Sequence, residues 1–242
     1  MIFFRKKLPD PLVWTDFHSH LIPGIDDGAK DIAHSLELIK ELSALGYRKL
    51  ITTPHIKSGQ FDNTAAIITQ GLHELREELV KNGIDMPIVA AAEYYYDKTF
   101  LQAIKDDNLL HIGRHVLFEF SYMTPPIDLE ETIYELKARN YIPVLAHPER
   151  YLYYHSKLDR YEYLKTLGIH FQINLNSLVG YYSKPVEHVA KHLSQKGFID
   201  FVGSDTHHSK HTSYMQKAMK DSAYKNLFDN NKILNDKLVI DA

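Results

Sequence analysis

The chain has 242 residues, enough for one domain with a sizeable core or for two small domains. Its composition is that of a globular protein, and a formal net charge of −3 gives no reason to expect nucleic acid or an acidic membrane as the main partner. Because it contains no cysteine, disulfides and thiolate metal sites are excluded. The unusual feature is its 15 histidines, which are scattered and form no tag.

The first 12 residues, MIFFRKKLPDPL, are predicted to be an N-terminal extension. One short apolar cluster anchors poorly to a membrane surface, so a frayed terminus is favoured over membrane contact. No apolar run approaches the roughly 20 residues that a transmembrane helix needs. Together with the lack of cysteine, this favours a cytoplasmic location.

From residue 13 onward, short apolar runs alternate with amphipathic stretches. Seven runs are predicted to be strands: Val13–Phe17, Leu50–Thr53, Ile88–Ala92, Val116–Phe120, Ile142–Ala146, His170–Ile173 and Phe201–Gly203. Six stretches are predicted to be helices: Asp31–Leu45, Ala65–Lys81, Phe100–Asp106, Leu129–Arg139, Tyr161–Leu167 and Val186–Lys196. One or two further helical segments are expected between about Tyr214 and the end of the chain.

This alternation predicts an α/β fold with parallel strands joined by right-handed crossovers. The strands could form an open doubly wound sheet or a barrel. A barrel is favoured because no glycine-rich phosphate loop follows the first strand and because polar residues follow nearly every strand. No linker or repeat divides the sequence, so we predict a single domain over residues 1–242.

Polar and ionisable side chains follow the C-terminal ends of the predicted strands. In chain order they are His18, His20, Asp26, Asp27, His55, Glu93, Glu119, His147, Glu149, Arg150, Asn174, Asn176, Asp205, His207 and His208. A single histidine in such a place is usually a hydrogen-bonded structural residue. A barrel, however, would gather all of these groups at one mouth, where buried charges need partners. Metal cations are the natural partners of a mixed histidine and carboxylate cluster.

Two short elements have the spacing of paired metal ligands. In an extended strand, residues i and i+2 point to the same side, so His18 and His20 can reach one ion. Asp205 and His207 repeat this geometry at the last strand. The cluster has more donors than one ion of four to six ligands can use, which favours two or three ions. Imidazole and carboxylate donors suit zinc, manganese or iron(II).

Five ordered motifs resemble those of the polymerase and histidinol phosphatase (PHP) superfamily: DFHSH, TTPH, an isolated Glu after the third strand, AHPER and GSDTH. The longer stretches HSHLIPGIDDGA, ITTPHIKSGQF, LFEFS, YIPVLAHPERY and FVGSDTHH are similar to those of the bacterial capsule-associated tyrosine phosphatases of the CpsB/YwqE type. The resemblance spans roughly residues 14 to 211. It implies a distorted seven-stranded (β/α)7 TIM-like barrel and three divalent metal ions: manganese, iron or zinc.

The resemblance also divides the ligands among the ions. The first set is His18, His20, Glu93 and Asp205; the second is Glu93, Glu119 and His147; the third is Asp27, His55 and His207. Asp27 is chosen over Asp26 because the aspartate directly before Gly28 matches the family ligand. Asp26 is then interpreted as a turn former.

Substrate contacts are predicted around the last two motifs. Arg150 is expected to clamp a phosphate through parallel hydrogen bonds, with a salt bridge to the metal ligands as the alternative. Some relatives carry a further arginine after the final motif, where this chain has HSKHTSY, so Lys210 is the candidate for a second positive charge. Tyr151, Tyr153 and Tyr154 either line the mouth or serve as ordinary packing residues.

The resemblance implies metal-assisted hydrolysis of phosphotyrosine on a protein of capsular or exopolysaccharide biosynthesis, with a bacterial tyrosine kinase of polysaccharide export as the expected partner. A cysteinyl-phosphate route is impossible without cysteine. In this hypothesis a water activated by the ions attacks phosphorus, and His55 or His207 protonates the leaving group. The alternatives are a phosphatase of histidinol phosphate or another small molecule, and a non-catalytic metal-binding regulator of polysaccharide export. A nuclease is disfavoured because the chain has no basic stripe, and the oligomeric state stays open.

Overall fold

Parallel strands form the centre of the fold in the computed structural model, which describes residues 11–238. These strands are β1 (Thr15–Asp16), β2 (Lys49–Thr52), β3 (His55–Ile56), β4 (Ile88–Ala90), β5 (Glu93–Tyr95), β6 (His115–Glu119), β7 (Ile142–Ala146), β8 (His170–Asn174) and β9 (Phe201–Gly203). All seven predicted strands are present. The structure has two further short strands, because β3 follows closely after β2 and β5 follows closely after β4. The predicted extension, residues 1–12, lies almost wholly outside the described residues.

Helices follow most of the strands, as the hydrophobic pattern predicts. They are α1 (Ile32–Ala44), α2 (Ala65–Lys81), α3 (Lys98–Lys105), α4 (Leu129–Ala138), α5 (Asp159–Thr166), α6 (Lys184–Gln195), α7 (Ser209–Ala218) and α8 (Ser222–Asn230). The side chains of Asp31 and Thr64 accept hydrogen bonds from first-turn N–H groups and so cap α1 and α2. Beyond α1, Gly46 adopts φ +100°, and a Cβ there would lie 2.6 Å from Pro11.

The segments of the first and last strands lie side by side at a seam between two sheets. The strands pair in the orders β1-β2-β4 and β3-β5-β6-β7-β8-β9, and the chain passes directly from β2 to β3 and from β4 to β5. At the seam, Ser19 and Thr206 form an isolated parallel bridge, and the Asp205 N–H donates to the His18 carbonyl at 2.8 Å. The α/β fold with parallel strands is as predicted, and its seam consists of a bridge and single hydrogen bonds instead of a continuous ladder.

Two apolar clusters support the strands. The larger one joins the helices to the strands and includes Leu38, Leu75 and Leu193. The smaller one consists mainly of residues in or beside the strands, and within it the rings of Phe17 and Phe201 stack with centroids 4.1 Å apart. Burial of this apolar surface is the main driving force that holds the strand ends in place. Among the described residues, no helix is both long and apolar enough to cross a membrane.

Candidate metal centre

Nine ionisable side chains converge where the strands end. They are His18, His20, Asp27, His55, Glu93, Glu119, His147, Asp205 and His207. They fall into four overlapping groups, and within each group the potential ligand atoms lie within 4.8 Å of one another. The fold thus brings together all nine residues that the sequence singled out. Their function as metal ligands remains a prediction.

Two of these residues owe their position to unusual backbone turns. His147 directly follows β7 and has φ 34°, and Asp205 follows β9 and has φ 50°. Non-glycine residues rarely adopt positive φ, and such conformations persist where the surrounding structure enforces them, often at functional sites. Both turns end a strand abruptly and leave the side chain lining the cavity at the mouth.

Glu93, the first residue of β5, lies at the centre of the cluster. Its Oε1 is 2.9 Å from His147 Nε2, and its Oε2 is 3.1 Å from His55 Nδ1. The same Oε2 lies 3.5 Å from His20 Nε2 and 3.7 Å from His18 Nε2. Despite burial, the surrounding imidazoles, His18 foremost, hold the pKa of Glu93 well below its usual range. One carboxylate therefore touches four of the predicted histidine ligands.

The negative charge of Glu119 is poorly balanced by its surroundings. Burial raises the pKa of Glu119 well above its usual value, and the neighbouring Glu93 raises it further, while Arg150 and then Lys57 oppose the shift.

Burial lowers the pKa of His55 to about 4. At neutral pH the His55 imidazole is therefore neutral, which suits a metal ligand better than the predicted proton donor.

Unpaired atoms at the centre show that the donor set fits divalent cations. Within residues 11–238, His18 Nε2, His20 Nε2, His55 Nδ1 and Glu93 Oε2 are buried and have no hydrogen-bond partner of good geometry. Leaving such groups unsatisfied costs about 1–3 kcal/mol each. All four are imidazole or carboxylate atoms, which are suitable ligands for zinc, manganese or iron. These residues would therefore hold divalent ions in favourable contacts.

The second ring nitrogen of several histidines is held by a neighbour. His18 Nδ1 lies 2.6 Å from Thr53 Oγ1, and His207 Nδ1 lies 2.9 Å from the Asp205 carbonyl oxygen. Metal-binding histidines commonly use the second nitrogen in this way, because the bond fixes the tautomer and the ring orientation. The free nitrogen of each ring then faces the cluster.

Asp26 has a role that the sequence did not reveal. Its Oδ1 accepts from the Gly28 N–H at 3.0 Å, which is the predicted turn. Its Oδ2 also lies 2.7 Å from His20 Nδ1 and accepts from the His55 N–H at 3.1 Å. Burial opposes charge on the His20 ring, but the carboxylates of Asp26, Asp205 and Glu93 together raise the pKa of His20 well above its usual value. Asp26 is thus both a turn former and a support for His20.

Gly28 explains the close approach at this turn. A Cβ on Gly28 would lie 2.3 Å from the His20 carbonyl oxygen, so only glycine fits. The Ala29 N–H donates to that same oxygen at 3.0 Å. The Asp-Asp-Gly sequence thereby folds back against the His18 and His20 segment. Asp27 is left at the surface, with 56% of its side chain exposed and its Oδ1 3.5 Å from His55 Nε2.

Arg150 lies between the cluster and two tyrosine rings. Its Nη1 donates to Asp205 Oδ2 at 3.1 Å, and its guanidinium carbon lies 4.7 Å from the ring centroid of Tyr122 and 4.2 Å from that of Tyr182. The same Asp205 oxygen accepts from Asn174 Nδ2 at 2.7 Å. Arg150 therefore forms the salt bridge that was the alternative prediction, and it also lines the cavity where a phosphate clamp is needed.

The mouth opens into a cavity of about 540 Å³. Its walls are formed by Asp27, His55, Lys57, Gln60, Phe61, Glu93, Glu119, Tyr122, His147, Arg150, Tyr181, Tyr182, Asp205, His207, His208 and His211. Aromatic walls around a charged floor suit an aryl phosphate. Sequence reasoning missed the aromatic residues Phe61, Tyr122 and Tyr182, because nothing in their local sequence distinguishes them from packing residues.

The predicted substrate contact of Tyr151 is wrong. The side chain is fully buried, its hydroxyl donates to the Ala146 carbonyl at 3.1 Å, and it accepts from the Phe120 N–H at 2.9 Å. Tyr153 and Tyr154 do not line the cavity either, and Tyr154 is also buried. The packing alternative is therefore correct for Tyr151, because its hydroxyl joins two strand ends inside the core.

Lys210 is also not where the prediction requires it. It lies exposed in the first turn of α7, with its Nζ 5.4 Å from the ring centroid of Tyr181, and it does not line the cavity. The prediction that it supplies a second positive charge to a bound phosphate is therefore not supported. The cavity contains another lysine, Lys57, which the sequence did not single out.

Comparison with known proteins shows the family of the chain. The family model for capsular polysaccharide synthesis proteins of the CpsB/CapC type matches residues 14–234. The chain belongs to the CpsB/CapC family. The resemblance inferred from the motifs is thereby confirmed. Among the family's relatives, the tyrosine-protein phosphatase YwqE of Bacillus subtilis is 31% identical over 197 residues, which cover 81% of this chain and 78% of YwqE.

Solved structures extend the likeness to the fold. A structure from a study of YwqE from Bacillus subtilis and CpsB from Streptococcus pneumoniae, described as unique metal-dependent tyrosine phosphatases, matches with a TM-score of 0.79 and 28% identity, covering 90% of this chain and 96% of that chain. A histidinol phosphate phosphatase from Lactococcus lactis matches with a TM-score of 0.51 and 14% identity, over 88% of this chain and 93% of that chain. This second likeness concerns the fold alone, and the predicted α/β fold with parallel strands is confirmed.

Proposed function

We propose that this protein is a metal-dependent protein-tyrosine phosphatase that acts on a phosphotyrosine protein of capsular or exopolysaccharide biosynthesis. The observation that carries the proposal is the convergence of nine histidine and carboxylate side chains, seven of which line one aromatic-walled cavity together with Arg150. The names of the family's relatives support the choice of phosphotyrosine among phosphate monoesters.

The proposed cofactor is a set of three divalent ions of manganese, iron or zinc. The donor atoms are assigned as His18, His20, Glu93 and Asp205 for one ion, Glu93, Glu119 and His147 for the second, and Asp27, His55 and His207 for the third. Divalent ions at such a site neutralise phosphate charge and lower the pKa of water enough to make it a nucleophile at neutral pH. Asp27, His55 and His207 belong to one group of closely spaced donor atoms, and His18, His20 and Asp205 form another, which supports the third and first sets.

The residues of the chain orient the substrate and assist the leaving group. Arg150 donates to the phosphate with the N–H groups that Asp205 does not occupy, and the two tyrosine rings hold the guanidinium plane in place. A leaving phenolate, with an ordinary pKa near 10, needs little protonation. Of the two predicted proton donors, His207 lines the cavity with 15% of its side chain exposed, and it can protonate the leaving group only where it does not hold the third ion.

One assay decides between this function and its alternatives. Metal-loaded protein is offered a phosphotyrosine peptide, histidinol phosphate and a simple aryl phosphate. Turnover of the peptide, abolished by His147→Ala and retained by the exposed His73→Ala, is the expected result. Preference for histidinol phosphate would overturn the tyrosine assignment. Bound metal without turnover of any substrate would instead indicate a non-catalytic regulator.

Three wider features are proposed on the family resemblance. A bacterial tyrosine kinase of polysaccharide export is the proposed partner, since its phosphotyrosines are the substrate class that the relatives' names suggest. A cytoplasmic location, where such a kinase presents its phosphotyrosines, and a single domain over residues 1–242 complete the proposal. Co-purification of the phosphorylated kinase with an inactive His147→Ala variant would test the partner.

A further inference from the structure

We propose that Lys57 is a substrate-positioning residue that supplies the second positive charge at the phosphate site, beside Arg150. The proposal rests on the proposed phosphatase function and assigns one further side chain to it. Lys57 lines the same cavity as Arg150 and the clustered histidines. The sequence offered Lys210 for this task, but Lys210 lies outside the cavity.

The backbone of Lys57 is fixed beside a predicted metal ligand. Lys57 comes two residues after His55, at the base of a tight hairpin that Gly59 allows with φ +76°. The Lys57 N–H donates to the Phe61 carbonyl at 2.9 Å, and the Phe61 N–H donates back at 2.8 Å. The Phe61 ring in turn stacks on the His55 ring, with centroids 5.3 Å apart. The hairpin therefore holds its lysine at a fixed position relative to the cluster.

The ammonium group of Lys57 is positioned but not neutralised. It lies 4.2 Å from the ring centroid of Tyr95, a cation–π contact that orients the side chain and leaves its charge unpaired. Throughout residues 11–238, no carboxylate comes within 4.0 Å of Lys57 Nζ, whereas Arg150 Nη1 is 3.1 Å from Asp205. The charge of Arg150 is thus partly balanced by a direct ion pair, whereas Lys57 has only a longer-range interaction with Glu119 and can contact a ligand directly.

A phosphate monoester has the chemistry that such a pair of cations recognises. Its dianion presents three acceptor oxygens, which a planar guanidinium can bind through two parallel bonds and an ammonium as a point charge. A hydrogen bond to a charged group contributes about 1.5–3 kcal/mol, which corresponds to roughly a tenfold to hundredfold change in affinity. The loss of the ammonium group should therefore weaken phosphate binding without removing the metal ligands.

The test uses the metal-loaded full chain and three variants: Lys57→Met, Lys57→Arg and, as a matched control, Lys81→Met. Lys81 lies exposed at the end of α2. The measurements are KM and kcat for an aryl phosphate, the inhibition constant of inorganic phosphate, bound metal per chain, and Tm. We expect Lys57→Met to raise KM and the phosphate inhibition constant about tenfold, with metal content unchanged. Lys57→Arg should restore most of the binding, and Lys81→Met should match the wild type.

The outcomes separate this proposal from the function on which it rests. An unchanged phosphate inhibition constant in Lys57→Met, with an active wild type, overturns the role of Lys57 and leaves the phosphatase function standing. A loss of bound metal or of Tm that accompanies the weaker binding also overturns it, because Lys57 would then support the fold or the cluster. A wild type without turnover contradicts the proposed function itself.

Discussion

Histidines occupy both ends of the strands, but the two ends differ in what surrounds them. At the mouth, His18, His20 and their neighbours face carboxylates across 3.1–3.7 Å. At the opposite end, His115 and His170 begin β6 and β8, and their rings lie 5.1 Å and 6.0 Å from the Phe201 ring. Histidine content alone is therefore no sign of a metal site. Convergence with carboxylates is the distinguishing feature.

An unpaired nitrogen is not sufficient either. His170 Nδ1 is buried without a partner, like the nitrogens at the mouth. The carboxylate of the nearby Asp200, however, pairs with Lys165 and accepts the Phe171 N–H at 2.7 Å. Within the part of the chain that the structure describes, none of the candidate metal-binding groups includes His115 or His170. His115 and His170 therefore pack around Phe201 at the end of the strands opposite the mouth.

The largest expected effect comes from the centre of the mouth. Glu93→Gln keeps the shape of the side chain but removes the charge that faces four histidines. We expect kcat/KM for a phosphotyrosine peptide to fall by about 10³-fold or more, with fewer ions bound per chain. Steady-state kinetics and elemental analysis on the same samples measure this. Wild-type activity in the variant would show that Glu93 holds no ion needed for the reaction.

Arg150→Lys tests whether the guanidinium group at the mouth binds substrate or only pairs with Asp205. The lysine keeps the positive charge but loses the planar fork that donates to Asp205 and lies against two tyrosine rings. We expect kcat/KM to fall by about 10²-fold, while most of the bound metal is retained. If metal content fell as much as activity, the salt bridge to Asp205 would be the only function of Arg150.

Asp26→Asn tests the support of a histidine at the mouth. The substitution removes the charge that holds His20 Nδ1 at 2.7 Å. Loss of such a partner typically costs 10- to 100-fold in metal affinity or activity, so we expect a weaker affinity for one ion in a metal titration. Asp62→Asn, directly after the hairpin that follows His55, is the control, since among the described residues the Asp62 side chain accepts a hydrogen bond only from the Gly59 N–H. Equal metal affinities in both variants would show that Asp26 forms the turn but does not support His20 as a metal ligand.

His115→Phe is expected to have the smallest effect on activity, and it tests the end of the strands opposite the mouth. Burial lowers the pKa of His115 to about 4, against about 6.5 in an unfolded chain. The unfolded state thus binds the proton first, and stability present above pH 6.5 is lost as the pH falls toward 4. Without this group, the free energy of unfolding should fall less steeply in that window, by less than about 1.4 kcal/mol per pH unit because the ring is only partly buried and solvent screens its charge.

Urea unfolding of metal-free protein across pH 4 to 7 measures the slope, with the exposed His73→Phe as the control. Phosphatase activity of metal-loaded His115→Phe should equal that of the wild type at neutral pH. Identical slopes in wild type and His115→Phe would contradict the assignment of His115 as a buried neutral group. A loss of activity would show that the end of the strands opposite the mouth also contributes to the reaction.

The sequence was sufficient for the fold and for the gathering of the predicted ligands, and it was insufficient for their surroundings. Strand ends are set by local hydrophobic pattern, so His55, Glu93 and His147 could be placed at one mouth from their position after each strand. Contacts such as that of Asp26 with His20 depend on a tight fold-back at Gly28, and two adjacent aspartates look alike in sequence. The errors at Tyr151 and Lys210 have the same cause, because direction of a side chain at a turn depends on tertiary packing.

The most direct test of a metal-dependent phosphatase site at the mouth is a single measurement on metal-stripped wild-type protein. The protein is titrated with manganese while bound ions and release of phosphate from a phosphotyrosine peptide are followed together. We predict that turnover appears as binding approaches three ions per chain and is lost again with a chelator. Saturable turnover without bound metal, or full occupancy without any turnover, would contradict the account.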